Sequence, residues 1–101
     1  MQASVETSND RSVIRLHGRF DFKAHREFKS LCDVPLKSAA VKEVELDLAA
    51  VDYLDSSALG MLLMLRERAQ LADKTVVLAN SRGAVRQVLD IANFGKLFRI
   101  K

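Results

Sequence analysis

The sequence predicts an α/β domain in which a mixed, mostly parallel β-sheet is covered by helices. Three apolar runs have strand character: 12–17, 43–48 and 75–79. Three stretches place their apolar residues at helical spacing: about 22–32, 56–72 and 82–91. Strands that alternate with helices are typical of parallel sheets, because a crossover helix has to carry the chain back before the next strand can begin. The 101 residues are enough for one small domain with one hydrophobic core, so we expect a single domain over 1–101.

The first two elements are predicted to form a hairpin. Residues 3–7 are a short, half-polar strand candidate, and the Asn9-Asp10 pair after them is a turn signal. Residues 12–17 alternate apolar and polar side chains, as a half-buried strand does. We expect Gly18 to end this second strand.

A helix is predicted next, from residue 22 to about residue 32. Asp21 is placed to cap it, and Val34-Pro35 should end it, because the residue before a proline avoids helical geometry. Its apolar positions are spaced for one face: Phe22, Phe28, Leu31 and Cys32. The single Cys32 cannot form an internal disulfide and is expected to be a small core residue.

The central strand and the helix after it organise the chain. Val44, Leu46 and Leu48 alternate with acidic residues, which predicts a strand over 43–48, and we interpret 49–54 as a turn. The helix then runs from Ser56 to about residue 72. At about 100° per residue, one face gathers the expected core residues: Ala58, Leu62, Leu65, Ala69 and Ala72.

The other side of this helix is unusually apolar, since Gly60, Leu63 and Met64 lie there beside Glu67. Apolar side chains on an outer face indicate either a docking surface or a neighbouring segment that covers them. The sequence leaves both possibilities open.

The last third of the chain repeats the pattern. Asp73-Lys74 predicts a turn, and the β-branched run 75–79 predicts a buried strand. Asn80-Ser81 should cap a third helix at about 82–91, and residues 97–100 form a last short strand. The inner side of the third helix is predicted to carry Val85, Val88, Leu89 and Ala92.

Polar groups collect where the second helix begins. Asp55, Ser56 and Ser57 stand at a strand-to-helix junction, outside the carboxyl end of a strand, where functional residues of open parallel sheets gather. Asp and Ser are strong N-cap residues, so a purely structural role is the simplest interpretation. Two hydroxyls beside one carboxylate also allow one to cap while the other stays free for chemistry.

These residues resemble a known family. The run Asp-Ser-Ser-Ala-Leu-Gly at 55–60 is similar to the signature of STAS-domain anti-sigma factor antagonists, small switch proteins of bacterial partner-switching modules. That signature reads Asp-Ser-Ser/Thr-Gly-Leu-Gly, and the hydroxyl directly after the Asp is the one phosphorylated. The run Gly-Arg-Phe-Asp at 18–21 resembles the family's Gly-x-Leu/Phe-Asp turn, and 91–98 resembles its tail. Ala58 departs from the pattern, because the family usually has Gly there.

The resemblance implies a single STAS domain that acts as a substrate and not as an enzyme. Ser56 would be the phosphoacceptor, with Asp55 and Ser57 as its neighbours. The implied partners are a serine kinase/anti-sigma factor with a histidine-kinase-like ATPase fold, bound by the unphosphorylated protein, and a PP2C-type phosphatase. The output would be transcription or a biofilm pathway. The implied partner-binding residues are Gly18, Arg19, Asp21, Leu59, Gly60, Leu63, Met64, Ser81 and Arg82.

A rival interpretation is a STAS subunit that stays attached to a membrane transporter or a larger sensing assembly, where the hydroxyl would be structural.

Composition and missing motifs argue against other classes. The net charge of +3 is scattered and not interleaved with aromatic residues, so no nucleic-acid partner is expected. We expect a cytoplasmic protein without membrane insertion, because no signal pattern and no long apolar run occur. His17 and His25 lack ligands at metal spacing, and neither metal nor cofactor is expected. A small hydrolase using Asp47, Asp52 and Asp55 is a third, weaker possibility.

Overall fold

The computed structural model describes residues 1–101 as a five-stranded sheet with three α-helices. The strands are β1 (Gln2–Ser8), β2 (Arg11–Phe20), β3 (Glu43–Leu54), β4 (Thr75–Ala79) and β5 (Arg99–Ile100). The helices are α1 (His25–Lys37), α2 (Ser56–Leu71) and α3 (Gly83–Ile91). The predicted α/β class is therefore confirmed.

The strands lie in chain order across the sheet, from β1 to β5. β1 and β2 form the predicted antiparallel hairpin, with a turn at Asn9 whose φ of 57° suits asparagine. The pairs β2–β3, β3–β4 and β4–β5 are all parallel. This gives the mixed, mostly parallel sheet that the alternation of elements predicts.

Strand β2 does not end at Gly18, as the sequence suggested. It continues to Phe20, and the pairing with β3 shifts register between Gly18 and Arg19. The φ of Gly18 is +96°, a conformation that side chains disfavour, so this glycine forms an irregularity inside the strand. The bulge lets β2 reach the level of Leu54, which carries Asp21 to the end of β3.

The first helix differs from the prediction at both ends. Asp21 caps a short 3₁₀ turn, Phe22–Ala24, that leads into α1, and Phe22 is 64% exposed instead of facing the core. At the other end Pro35 lies inside the last turn, and the helix continues to Lys37. The proline has no N–H and so removes one backbone hydrogen bond of the last turn, and the helix ends two residues after it. Phe28 and Cys32 are buried, as predicted.

Strand β3 is longer than the sequence indicated. Residues 49–54, interpreted above as a turn, continue the strand, and they pair with β2 up to Phe20–Leu54. β4 pairs with β3 only as far as Asp47, so the last part of β3 extends beyond β4. This extension carries the junction at Asp55 to the end of the sheet.

One cluster of 21 buried residues joins the sheet to the helices. Val44, Leu46 and Leu48 of β3 lie at its centre, and the helices pack over this apolar face. The opposite face carries ion pairs, in which Glu45 meets Arg11 and Lys101. The predicted strand 75–79 and the inner residues Val85 and Leu89 of α3 are confirmed.

Candidate functional site at the start of helix α2

Helix α2 begins directly after the long strand β3, and a carboxylate caps it. Asp55 has an extended backbone, and its Oδ1 accepts a hydrogen bond of 2.9 Å from the backbone N–H of Ala58. This is the ordinary geometry of an aspartate N-cap. Because Asp55 makes the cap, neither serine hydroxyl is needed for it. Ser56 and Ser57 are the first two residues of the helix, and both are exposed.

The end of β2 lies beside this helix start. The backbone N–H of Asp55 donates to the carbonyl of Phe20, at 3.4 Å. The next residue, Asp21, accepts from the backbone N–H of Lys23 at 3.1 Å and so caps its own short turn. The structure therefore brings the two capping carboxylates, predicted separately, to one end of the sheet.

Arg19 is held over the ring of Tyr53 at this end. Its guanidinium carbon lies 3.9 Å from the ring centroid, a cation–π contact, and its Nε lies 3.6 Å from Oδ2 of Asp21. Tyr53 was missed as a site residue, because 49–54 was interpreted as a turn. No regular sequence signal identifies it, since the burial of residues 51–54 does not follow the two-residue period of a strand.

The outer face of α2 is apolar and open. Leu63 is 40% exposed and Met64 is 44% exposed, while Leu59 is half-buried. Gly60 is exposed, and no atom lies within 4 Å of the place where a β-carbon would be. No neighbouring segment of this chain covers the exposed residues of this face. The sequence had left open whether such a segment would hide the face, and the structure shows that none does.

The inner face of α2 follows the prediction except at two positions. Ala58, Leu62, Leu65 and Ala69 are buried, whereas Ala72 lies just beyond the helix and is exposed. Met61 is only 3% exposed and was missed, although its spacing of three residues from Ala58 places it on the same side. Ala58 itself is fully buried, so the departure from the family pattern at this position falls in the core and not on the outer face.

The turn before α3 differs from the prediction. Asn80 and Ser81 do not cap the helix, since α3 begins at Gly83 and its N-cap residue is Arg82, whose side chain makes no capping hydrogen bond. Asn80 has a φ of 63° and donates to Oδ1 of Asp47, at 3.1 Å. The Ser81 hydroxyl is enclosed without a hydrogen-bond partner. Asn80 follows β4 directly and has a left-handed backbone. The chain therefore turns at Asn80, too early for the side chain of Asn80 or Ser81 to reach the start of α3.

Arg82 contacts β3 well before the junction at Asp55. Its Nη2 donates to the carbonyl of Ala49, at 3.0 Å. Leu54 lies five residue steps after Ala49 along the strand, which is roughly 17 Å at the usual rise. Arg82 therefore lies beside the beginning of the segment 49–54 of β3, whereas helix α2 starts after the end of that segment.

The fold is that of a STAS domain. The family model described as "Mlab, STAS domain" matches residues 3–99, and the chain belongs to this family. A STAS-domain containing protein of Pseudomonas aeruginosa is 42% identical over 88 residues, which is 87% of this chain and 85% of that protein.

Solved structures share the fold at low sequence identity. An anti-sigma factor antagonist from Mycobacterium paratuberculosis superposes with a TM-score of 0.85 at 20% identity, covering 98% of this chain and 83% of that one. The anti-sigma factor antagonist SpoIIAA in its unphosphorylated form gives a TM-score of 0.77 at 20% identity, covering 99% and 87%. The Bacillus cell fate determinant SpoIIAA in the phosphorylated form gives 0.75 at 20% identity, covering 99% and 91%. None of the helices in this chain has the length and apolar character needed to cross a bilayer.

Proposed function

We propose that this protein is a phosphorylation-controlled binding switch and not an enzyme. In its unphosphorylated state it binds a serine kinase/anti-sigma factor with a histidine-kinase-like ATPase fold, and thereby frees what that partner restrains. Phosphorylation of Ser56 ends the binding, and a PP2C-type phosphatase restores it. The cycle takes place in the cytoplasm, and its output is transcription or a biofilm pathway.

The observation that carries this proposal is the free, exposed hydroxyl of Ser56 at the start of α2. A serine that served only as a cap would accept a bond from the first turn, but Asp55 already does this. A kinase can reach the hydroxyl without unwinding the helix, because Ser56 is exposed on its first turn. Ser57 is equally exposed, so the choice of Ser56 over Ser57 rests on the family signature.

The open apolar face of α2 supports the binding half of the proposal. Leu63 and Met64 are large apolar side chains that remain 40% and 44% exposed on the helix that carries Ser56. Gly60 adds a position where another backbone can approach closely, since nothing in the chain occupies the space beside it. Such a face close to a modifiable hydroxyl suits a partner whose docking is controlled by the charge on that hydroxyl.

Phosphate on Ser56 would act through the interface and leave the fold unchanged. A phosphoserine carries about −1.5 to −2 charges at pH 7. The free N–H groups and the dipole of the first helical turn favour an anion by ~0.3–1 kcal/mol, whereas the neighbouring carboxylate of Asp55 opposes it. These local effects largely cancel in the free domain. A docked partner would instead have to remove water from the phosphate, and desolvating an unpaired charge is costly.

The two solved forms of SpoIIAA support a reversible modification in a protein of this fold, since one is unphosphorylated and the other phosphorylated. The rival interpretation is a STAS subunit that remains attached to a transporter or a sensing assembly. In that case Ser56 would be expected to make a structural contact, and it takes no part in the helix cap.

Intact-mass measurement of the protein purified from its native cells, followed by site mapping, tests the proposal. We expect a phosphorylated fraction with the phosphate on Ser56, and its loss in a strain that carries Ser56→Ala. The matched control is Ser57→Ala, which should keep the phosphate. Phosphate on Ser57 in the Ser56→Ala strain would contradict the assignment. Constant co-purification with a transporter and no modification would favour the rival interpretation.

A further inference from the structure

A shallow groove runs between α1 and α2, and Met64 is one of the residues that line it. Its floor is apolar and consists of Phe28, Cys32, Met61 and Leu65, all at most 3% exposed. The Cys32 thiol is inert at this position, because burial raises its pKa to about 12. The groove was not singled out from the sequence, since Met61 was not recognised as an inner residue of α2.

The rim of the groove is cationic. Lys29 and Arg68 supply its positive charge and line it together with His25 and Met64, and no carboxylate is among the lining residues. Asp33, beside the groove, pairs with Arg68 of the rim. The pKa of Asp33 is lowered, first by the hydrogen bond from Arg68 and further by the charges of Lys37 and Lys29. Arg68, Lys37 and Lys29 therefore all act on the Asp33 carboxylate. Lys29 itself forms no ion pair within the chain.

The size of the groove limits what can enter it. The space that a water-sized group can occupy in this open groove is about 20 Å³, which is room for one water molecule or one methyl-sized group. Pockets for small ligands are usually larger by an order of magnitude. Met61 and Met64 lie side by side on its α2 wall, and methionine side chains adapt readily to an incoming group. The groove thus suits one inserted side chain and not a bound metabolite or an acyl chain.

We propose that this groove receives an acidic amphipathic helix of the partner protein, which inserts an apolar side chain between Met61 and Met64 and places carboxylates against Lys29 and Arg68. A helix that lays its apolar residues into a groove is a common mode of peptide recognition. Charge complementarity selects this occupant over a second copy of the chain, since two copies would bring two cationic rims together. The inference deepens the proposed function, because Met64 belongs both to the groove and to the face beside Ser56.

The methionine methyl groups report directly on the groove. The chain has three methionines, and Met61 and Met64 both line the groove, whereas Met1 lies at the start of the chain. Protein labelled with ¹³C at these methyl groups would be titrated with an acetylated, amidated 16-residue helical peptide that carries Leu on one face and Glu on the other. The matched probe has Lys in place of every Glu. We expect the Met61 and Met64 signals to move with the Glu peptide only, while the Met1 signal stays in place.

Charge reversal tests the rim. Lys29→Glu should weaken binding of the Glu peptide by roughly threefold to tenfold at low salt, and less at high salt. The matched control is Lys96→Glu, which makes the same change in net charge in the turn after α3, at a residue that does not line the groove. Both lysines are exposed, so circular dichroism should show an intact fold for each variant.

The outcomes separate this inference from the proposed function. If neither peptide moves the Met61 and Met64 signals, if both peptides move them equally, or if Lys96→Glu acts as strongly as Lys29→Glu, the groove proposal is overturned. None of these results depends on phosphorylation. Conversely, a normal peptide response in a protein whose Ser56 is never modified in its own cells would support the groove and contradict the switch.

Discussion

The carboxylate of Asp55 accepts a 2.9 Å hydrogen bond from the backbone N–H of Ala58, so the acid and not a hydroxyl caps α2. We expect Asp55→Ala to lower the free energy of unfolding by about 1 kcal/mol, the usual cost of losing an N-cap. Asp55→Asn should retain most of the stability, because asparagine caps as well as aspartate does. Urea unfolding of the three proteins checks this. A cap role for Ser56 would be indicated if Ser56→Ala, and not Asp55→Ala, caused the loss.

Gly60 should show a conflict between stability and binding. A glycine in an exposed helix interior costs about 0.8–1.0 kcal/mol relative to alanine, and a β-carbon at Gly60 would meet no atom of the chain. We therefore expect Gly60→Ala to raise the free energy of unfolding by up to about 1 kcal/mol and to weaken partner binding. Thermal melts and calorimetric titration with the cognate kinase measure the two effects. A more stable variant with unchanged affinity would show that no partner approaches at this position.

Met64→Glu should weaken binding without harming the fold. The side chain is 44% exposed and outside the buried cluster, so the melting temperature should change little. Leu65→Ala serves as the contrasting variant, because Leu65 is 1% exposed and its truncation should cost about 2–5 kcal/mol. A large loss of stability in Met64→Glu would mean that Met64 belongs to the core.

Acid should weaken the fold through Glu45. Burial raises the pKa of this carboxyl, but hydrogen bonds from Lys101 and Arg11 outweigh burial and hold it below the ordinary value of 4.5. A group whose pKa is depressed by folding stabilises above its unfolded pKa and loses that contribution as the pH falls through the folded value. Unfolding free energies of the wild type and Glu45→Gln, measured between pH 7 and pH 3, should therefore converge towards the acid end. A constant difference across this range would contradict the assignment.

The sequence predicted the fold well where the signals are local. The alternation in 12–17, the β-branched run 75–79 and the core face of α2 from Ala58 to Ala69 depend on neighbouring residues, and all are confirmed. The errors lie where distant contacts decide. Residues 49–54 form strand because β2 lies beside them, and β2 reaches that far because Gly18 absorbs a register shift.

The candidate site was predictable to the same extent. Its location at the junction of β3 and α2 follows from the Asp-Ser-Ser run. The apolar character of the outer face of α2 follows from helical spacing, whereas the sequence left open whether a neighbouring segment covers that face. The contact of Arg19 with Tyr53 and the groove between α1 and α2 could not be predicted, because both depend on how separate elements pack together. The phosphoacceptor role of Ser56 and the partner-binding residues remain predictions.

The central claim is that a negative charge at Ser56 ends binding to the kinase/anti-sigma partner while the domain stays folded. Affinities of Ser56→Ala and Ser56→Asp for the cognate kinase, measured beside circular dichroism of each variant, test this most directly. We predict that Ser56→Ala binds like the unmodified protein, and that Ser56→Asp binds at least about tenfold more weakly with an unchanged spectrum, equivalent to about 1.4 kcal/mol or more. Equal affinities for the two variants, or an unfolded Ser56→Asp protein, would contradict the claim.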